Sequence, residues 1–210
     1  MIKAILPAAG YGKRMGMEIN QSKEMLKEVN GENFLIDYSL NLCYKYNIEP
    51  VVISRIEKED LNSYLRSKQV EHIVLKKPGS EWAETVLKSR GLWGEKNILI
   101  LPDTRWDDDK NKAFERIKTC ISYSDQQLVA GYHIINPEDS VKWGTLNGDF
   151  ILEKCQTQAS MAWGVLAFSK EIGESLFREL TPGNFTKLPV RYNIKLNNFR
   201  DITRTGKLEE

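Results

Sequence analysis

The densest phosphate-handling chemistry in this chain lies near its start, in Ala8-Ala9-Gly10-Tyr11-Gly12-Lys13-Arg14-Met15-Gly16. Binding a phosphate asks for little side-chain bulk, backbone N–H groups that can converge on an anion, and positive charge. Ala8, Ala9, Gly10 and Gly12 let a backbone come close to a ligand, and the amides of such a loop can cradle phosphate oxygens. Lys13 and Arg14 add charge, and Arg14 could hold a phosphate in a bidentate fork. The same residues would also serve a plain tight turn. A Walker A loop is excluded, because Gly-Lys-Ser/Thr is missing at the required offset. The dinucleotide fingerprint, counted from Gly10 and Gly12, would put its third glycine at Met15, one residue before Gly16. It also expects a helix at once, whereas the residues that follow are polar and irregular.

Further along, Asp103 closes an aliphatic run, Ile98-Leu99-Ile100-Leu101-Pro102. A carboxylate at a strand end can take Mg2+, which uses hard oxygen ligands, commonly one or two carboxylates with phosphates. It can equally cap a turn. Asp107, Asp108 and Asp109 read as a solvated helix start. Ser80 could cap the helix that follows it. Glu153-Lys154 is by itself an ordinary surface dipeptide, given weight here by a preceding hairpin that carries a glycine. His72 and His133 belong to no motif. Cys43, Cys120 and Cys155 stand far apart, so neither a zinc site nor a disulfide framework is expected.

These residues need a scaffold, and the pattern supplies an α/β one. Ile2 to Ala8, Pro50 to Ser54, Val70 to Leu75, Asn97 to Leu101 and Gln127 to His133 read as strands. Phe34 to Tyr46, Lys58 to Lys68, Trp82 to Trp93 and Lys110 to Tyr123 read as the helices between them. Short, fully apolar runs suit a parallel sheet covered on both faces, with right-handed crossovers. After about Asn136 the rhythm changes. Thr145 to Glu153 predicts a hairpin around Asn147-Gly148, Met161 to Phe168 a strand, Lys170 to Leu180 a helix, and Pro189 to Ile202 a weakly patterned segment. This second part is expected to supply a lid or wall. Ligands of open α/β sheets sit beyond the carboxyl ends of the strands, where the motifs above fall.

Composition narrows the function classes. The 210 residues carry 30 basic and 29 acidic side chains, a formal net charge of +1. So even a balance gives no footprint for nucleic acid or an anionic membrane. No apolar stretch approaches the ~20 residues of a membrane span, and the opening run is too short and interrupted for a signal peptide. Reduced cysteines and a cytoplasmic location are expected.

The stretch from Leu6 to Leu26 resembles the signature of the sugar nucleotidyltransferases, the family of glucose-1-phosphate uridylyl- and thymidylyltransferases. There a strand ending in Leu-Ala/Pro-Ala-Gly leads into Gly-x-Gly-Thr-Arg, a variable insert, and Pro-Lys-Glu-Met-Leu. Leu6, Pro7, Ala8, Ala9, Gly10, Gly12, Arg14, Lys23, Glu24, Met25 and Leu26 match; Lys13 replaces the usual threonine, Ser22 the usual proline, and the insert is short. Lys77-Pro78-Gly79-Ser80-Glu81 falls where the family has its base-recognition loop, which makes Gly79 and Ser80 nucleotide-binding candidates. Asp103 stands at the family's Mg2+ aspartate. Trp143-Gly144-Thr145 resembles its Tyr-Gly-Val segment, where the glycine admits the sugar. Glu153-Lys154 resembles its Glu-Lys pair, for sugar hydroxyls and sugar phosphate, although Cys155 replaces the usual proline. Trp163-Gly164 resembles a later sugar-contacting strand. Arg200-Asp201-Ile202-Thr203 resembles the Asp-x-Gly-Thr ending that carries a second Mg2+ ligand, with Thr203 in place of glycine.

The resemblance implies a Rossmann-like, GT-A-like fold with a mostly parallel central sheet flanked by helices and a smaller mixed β lid region. It implies one nucleotidyltransferase domain over 1–210, with about 1–135 as the nucleotide half and about 136–210 as the sugar-phosphate half. Arg14 and Lys23 would be catalytic, and Ala8, Ala9, Gly10, Gly12 and Lys13 would bind nucleotide. Mg2+ would sit on Asp103 and Asp201, and Gly144, Glu153 and Lys154 would hold the sugar phosphate. The partners are then a nucleoside triphosphate and a small phosphorylated substrate, with neither nucleic acid nor membrane. The long C-terminal extension of larger relatives is not expected. Two alternatives stay open: a cytidylyltransferase or molybdopterin nucleotidyltransferase of the same fold, and a non-catalytic sensor domain. The base, the sugar and the oligomeric state are not written in these residues.

Overall fold

The computed structural model describes residues 1–12, 15–27, 31–123 and 127–202. Lys13, Arg14 and Thr203 lie outside them. The described residues form two compact units, one of 3–92, 100–105 and 200–202, the other of 1–2, 93–99 and 106–199.

The first unit is built on parallel strands. β1 (Ile2–Pro7), β2 (Glu49–Arg55) and β3 (Glu71–Leu75) pair in that order, with Ile5 opposite Val51 and Ile53 opposite Ile73. Ala4, Ile5, Leu6, Val51, Val52 and Ile53 are fully buried, which explains their unbroken apolar runs. The crossovers are helices. α1 (Leu35–Lys45) starts where the Asp37 carboxylate accepts the Phe34 N–H at 2.8 Å, and it buries Leu35, Ile36, Leu40 and Cys43 on one stripe. α2 (Glu59–Ser67) buries Leu61 and Leu65, one turn apart. The sequence predicts one helix over Trp82 to Trp93. Instead α3 (Trp82–Leu87) stops and a 3-10 turn follows at Arg90–Leu92. Ser89 is the cause: its hydroxyl and its N–H both donate to the Val86 carbonyl, at 2.7 and 3.0 Å. Such local side-chain bonding competes with a regular helix. The chain then passes through β4 (Lys96–Ile100) and returns to this unit for the two-residue β5 (Thr104–Arg105).

In the second unit the predicted helix Lys110 to Tyr123 is divided into α4 (Asp108–Asn111) and α5 (Ala113–Ser122) by Lys112, which takes a left-handed φ of 48°. Asp108 is buried rather than solvated: its carboxylate accepts the Phe114 N–H at 2.8 Å and the Trp106 indole at 3.2 Å, so it holds the start of α5. β6 (Leu128–Ile134) leads to β7 (Gly144–Asn147) and β8 (Phe150–Glu153), an antiparallel hairpin. Asn147 pairs with Phe150, so the loop is Gly148-Asp149, and Gly148 supplies the positive φ of 63° that a two-residue hairpin favours. β9 (Met161–Ser169), α6 (Lys170–Glu179) and β10 (Val190–Lys195) complete the unit. β6 runs parallel to β10 and antiparallel to β9; β9 also pairs with β7 and adjoins β4 in strand order. No described helix is long and apolar enough to cross a membrane.

α6 is pinned by an aromatic cluster of Trp93, Phe168 and Phe177, with ring centroids 4.9 to 5.7 Å apart. A Cβ on Gly173 would come within 2.5 Å of the Trp93 ring. Alanine gains ~1 kcal/mol over glycine in a helix, but overpacking a filled core costs ~1–3 kcal/mol. Gly173→Ala is therefore expected to lower stability in urea denaturation, the opposite of its helix-propensity sign. Burial pushes the Cys43 thiol up to about 12. With almost no thiolate at neutral pH, Cys43 should resist alkylation in the native protein and react on unfolding, as read by mass spectrometry.

Candidate active site

β1 delivers the chain into the glycine loop of the first unit. The Ala8 N–H donates to the Ile53 carbonyl at 2.8 Å, and Ala8 and Ala9 are buried. Gly10 is exposed, with nothing within 4 Å of the position a Cβ would take, and Gly12 has a φ of 65°. At Gly10 the loop thus leaves its backbone open. Lys13 and Arg14, expected to add charge here, are outside the described residues.

Two buried bases hold this region, and sequence reasoning passed over both. Arg55, at the end of β2, donates to the Ile19 carbonyl and to Glu57 at 3.0 Å, and its guanidinium lies 4.5 Å from the Tyr11 ring centroid. Lys58 donates to the Ala8 carbonyl at 2.7 Å and to the Glu24 carboxylate at 2.6 Å, with both side chains fully buried. Burial lowers the Lys58 pKa, against the opposing pull of Glu24. Their position just past a strand's carboxyl end was the available signal.

Lys23 sits in a single 3-10 turn, Lys23–Met25, and its ammonium donates to the Asp103 carboxylate. The last strand among the described residues, β11 (Arg200–Asp201), runs antiparallel to β5, with Asp201 opposite Thr104. The Ile202 N–H donates to the Asp103 carbonyl at 3.0 Å. This short ladder brings Asp201 to the residue next to Asp103. Burial alone would lower the Lys23 pKa. The Asp103 carboxylate, then Glu24 and Asp201, outweigh it and raise the ammonium above its ordinary value. Among the described residues, no cluster of three or more His, Cys, Asp or Glu side chains could hold a metal. Mg2+ needs only one or two carboxylates when phosphates and water complete its shell. The Asp103 and Asp201 pair suits that requirement, and the ammonium on Asp103 is a cation already resident there.

Gly79 and Ser80 fold back on α3. The Gly79 N–H donates to the Thr85 hydroxyl at 2.9 Å, and the Ser80 N–H and hydroxyl donate to Glu84 at 2.8 and 2.9 Å. Those bonds to Ser80 lower the pKa of Glu84. A Cβ on Gly79 would meet Glu84 at 2.6 Å, so the close turn requires glycine. Ser80 is not the helix cap; Glu81 occupies that position.

In the second unit, Gly144 pairs with Glu153 across the β7–β8 hairpin. Glu153 is buried, and its carboxylate accepts the Trp163 indole N–H at 3.4 Å. A Cβ on Gly144 would lie 2.0 Å from the Trp163 nitrogen and 2.2 Å from the Glu153 oxygen, so only glycine leaves room for both. Lys154 has a left-handed φ of 46° and donates its N–H to the Trp143 carbonyl at 2.9 Å. His133 stacks on Phe199 at 4.0 Å and meets Trp143 edge-on. The structure thus groups Lys23, Asp103 and Asp201 in one unit, and Gly144, Glu153, Lys154 and Trp163 in the other.

No protein-family model matches the chain, and no curated protein matches it. Solved structures do. The chain is similar to a UDP-glucose pyrophosphorylase complexed with UDP-glucose, at 19% identity and a TM-score of 0.74, over 99% of this chain and 95% of that one. It is similar to a Bacillus anthracis protein assigned as a glucose-1-phosphate thymidylyltransferase, at 19% identity and 0.73, over 98% and 92%. An inositol-1-phosphate CTP transferase from T. maritima follows at 20% identity and 0.64, over 94% and 86%. At these identities the likeness establishes the fold: mixed α/β, Rossmann-like, with a mostly parallel central sheet flanked by helices.

The close packing at Gly144 gives a direct test. Gly144→Ala should displace the Glu153 carboxylate and the Trp163 indole, destabilise the protein by ~1–3 kcal/mol in urea, and shift the tryptophan emission.

Proposed function

We propose that this chain transfers a nucleotidyl group from a nucleoside triphosphate to a sugar 1-phosphate and releases pyrophosphate. The observation that carries this reading is the Lys23 ammonium held on Asp103 with Asp201 alongside, tied through Glu24 and Lys58 to the start of the glycine loop. Shared fold alone would not give a function; these residues, in the fold of nucleotidyltransferases, support one.

In the reaction, an oxygen of the sugar phosphate attacks the α-phosphorus in line. The bond from that phosphorus to the bridging oxygen breaks, and its electron pair leaves with pyrophosphate. The nucleophile is already an anion, so no general base is required. His72 bonds the Val70 carbonyl just before its strand, and His133 lies in an aromatic stack. Catalysis then rests on positioning and charge. Gly10 and Gly12 let the backbone approach the phosphates, while Arg14 and Lys13 would neutralise the triphosphate. Lys23, kept charged by its carboxylates, steadies the α-phosphate as negative charge builds. Mg2+ held by Asp103 and Asp201 would supply Lewis-acid charge at the phosphates. Gly79 and Ser80 would border the base. Gly144 would serve the sugar site by leaving room for the Glu153 carboxylate and the Trp163 indole, Glu153 would accept hydrogen bonds from the sugar hydroxyls, and Lys154 would pair with its phosphate. The UDP-glucose pyrophosphorylase and thymidylyltransferase among the similar structures support a hexose 1-phosphate as acceptor.

The test is pyrophosphate release from the four ribonucleoside triphosphates and dTTP against sugar 1-phosphates, inositol 1-phosphate and phosphocholine. One pair should react, with loss of activity in EDTA and in Asp103→Ala. No release from any pair would reject the reading. Lys23→Ala should lower kcat by ~10²–10³ while leaving the circular dichroism spectrum unchanged; an unchanged kcat would remove Lys23 from the mechanism.

A further inference from the structure

We propose that Lys58 is a positioning residue for nucleotidyl transfer: its buried ammonium fixes the spacing between the start of the glycine loop and Lys23. The inference rests on the reading given above.

Lys58 precedes α2 and reaches inward with no exposed surface. One atom, its Nζ, makes two contacts: the Ala8 carbonyl at 2.7 Å and the Glu24 carboxylate at 2.6 Å. Ala8 is where β1 has ended and the loop begins. Glu24 directly follows Lys23 in the chain and in its 3-10 turn. The ammonium therefore couples two segments that must both meet the triphosphate.

Stability does not account for this arrangement. Burying an ammonium and a carboxylate is costly, and an apolar pair of the same volume is often as stable or more so. The pair is not even fully satisfied, since the second Glu24 oxygen is buried without a hydrogen-bond partner among the described residues. An apolar pair could fill the space but could not hold the Ala8 carbonyl. What the ion pair adds is a directional link of fixed length, and reactions governed by positioning are sensitive to such links.

The experiment compares the wild type with Lys58→Met, Glu24→Met/Lys58→Met and Glu24→Gln, assayed well below the Tm of the least stable variant. Lys58→Met strands a buried carboxylate and should lower Tm. The double variant removes both charges and should recover Tm toward the wild type. Its kcat should nevertheless stay down by ~10²-fold, the cost of misplacement by about an ångström, with nucleotide Kd from direct titration changed far less. Glu24→Gln keeps an acceptor for Lys58 and should lose less than the double variant. A double variant with wild-type kcat would overturn the proposal. So would a Glu24→Gln loss equal to that of the double variant, because the Glu24 charge would then be the cause. Failure of the transfer reading is distinct: it appears as a wild type that releases no pyrophosphate, and both would fall.

Discussion

Carboxylates held close together repel unless a cation lies among them, and the first unit is arranged around that requirement. β5 and β11 pair Asp201 with Thr104, the residue after Asp103, and the Lys23 ammonium bonds Asp103 and has its pKa raised by the charge of Asp201 as well. Glu24 sits next to Lys23 and needs a cation of its own in a fully buried place, which Lys58 provides. Lys58 in turn also donates to the Ala8 carbonyl. The glycine loop, the 3-10 turn and β11 are therefore linked by a chain of charge interactions rather than by apolar packing alone.

Such a chain can exist because of where parallel strands end. β1 runs into Ala8, and β2 runs into Arg55 and Lys58. Residues past neighbouring carboxyl ends gather without any need to be near in sequence. The apolar strands give a rigid base, and the polar groups beyond them are positioned by hydrogen bonds of defined direction. The second unit uses a different device. At Gly144 and Gly164, side chains occupy the volume that a Cβ would take: Trp163 and Glu153 at the first, Phe199 at the second, 2.3 Å from that position. The absence of a side chain there is what allows a buried carboxylate to keep an indole partner.

How much of this the sequence carries depends on range. The strands β1, β2, β4 and β6 are legible to within a residue or two, because burial on both faces leaves continuous apolar runs. The Gly148 hairpin is legible because a positive φ has few residue choices. Local competition is harder to read. Ser89 ends α3 through a hydroxyl bond to Val86, and Lys112 divides α4 from α5 in a left-handed conformation that lysine rarely adopts. Asp108 reads as one acid in a solvated run, yet it is drawn inward by the Phe114 N–H and the Trp106 indole, which no local pattern announces.

The candidate site divides the same way. Lys23 stands out through the motif it shares with Glu24, Met25 and Leu26, and Asp103 because it closes an aliphatic strand. Their contact is not visible in the sequence, since it depends on how β4 and the glycine loop are laid on the scaffold. Arg55 and Lys58 are the instructive omissions. Basic residues are mostly exposed, so a lysine before a helix reads as surface. Here the carboxylate of Glu24 and the carbonyl of Ala8 overturn that expectation, because together they replace the water that an ammonium would otherwise keep. Whether a charged residue is scaffold or surface is decided by its partners, and those come from 34 and 50 residues earlier in the chain.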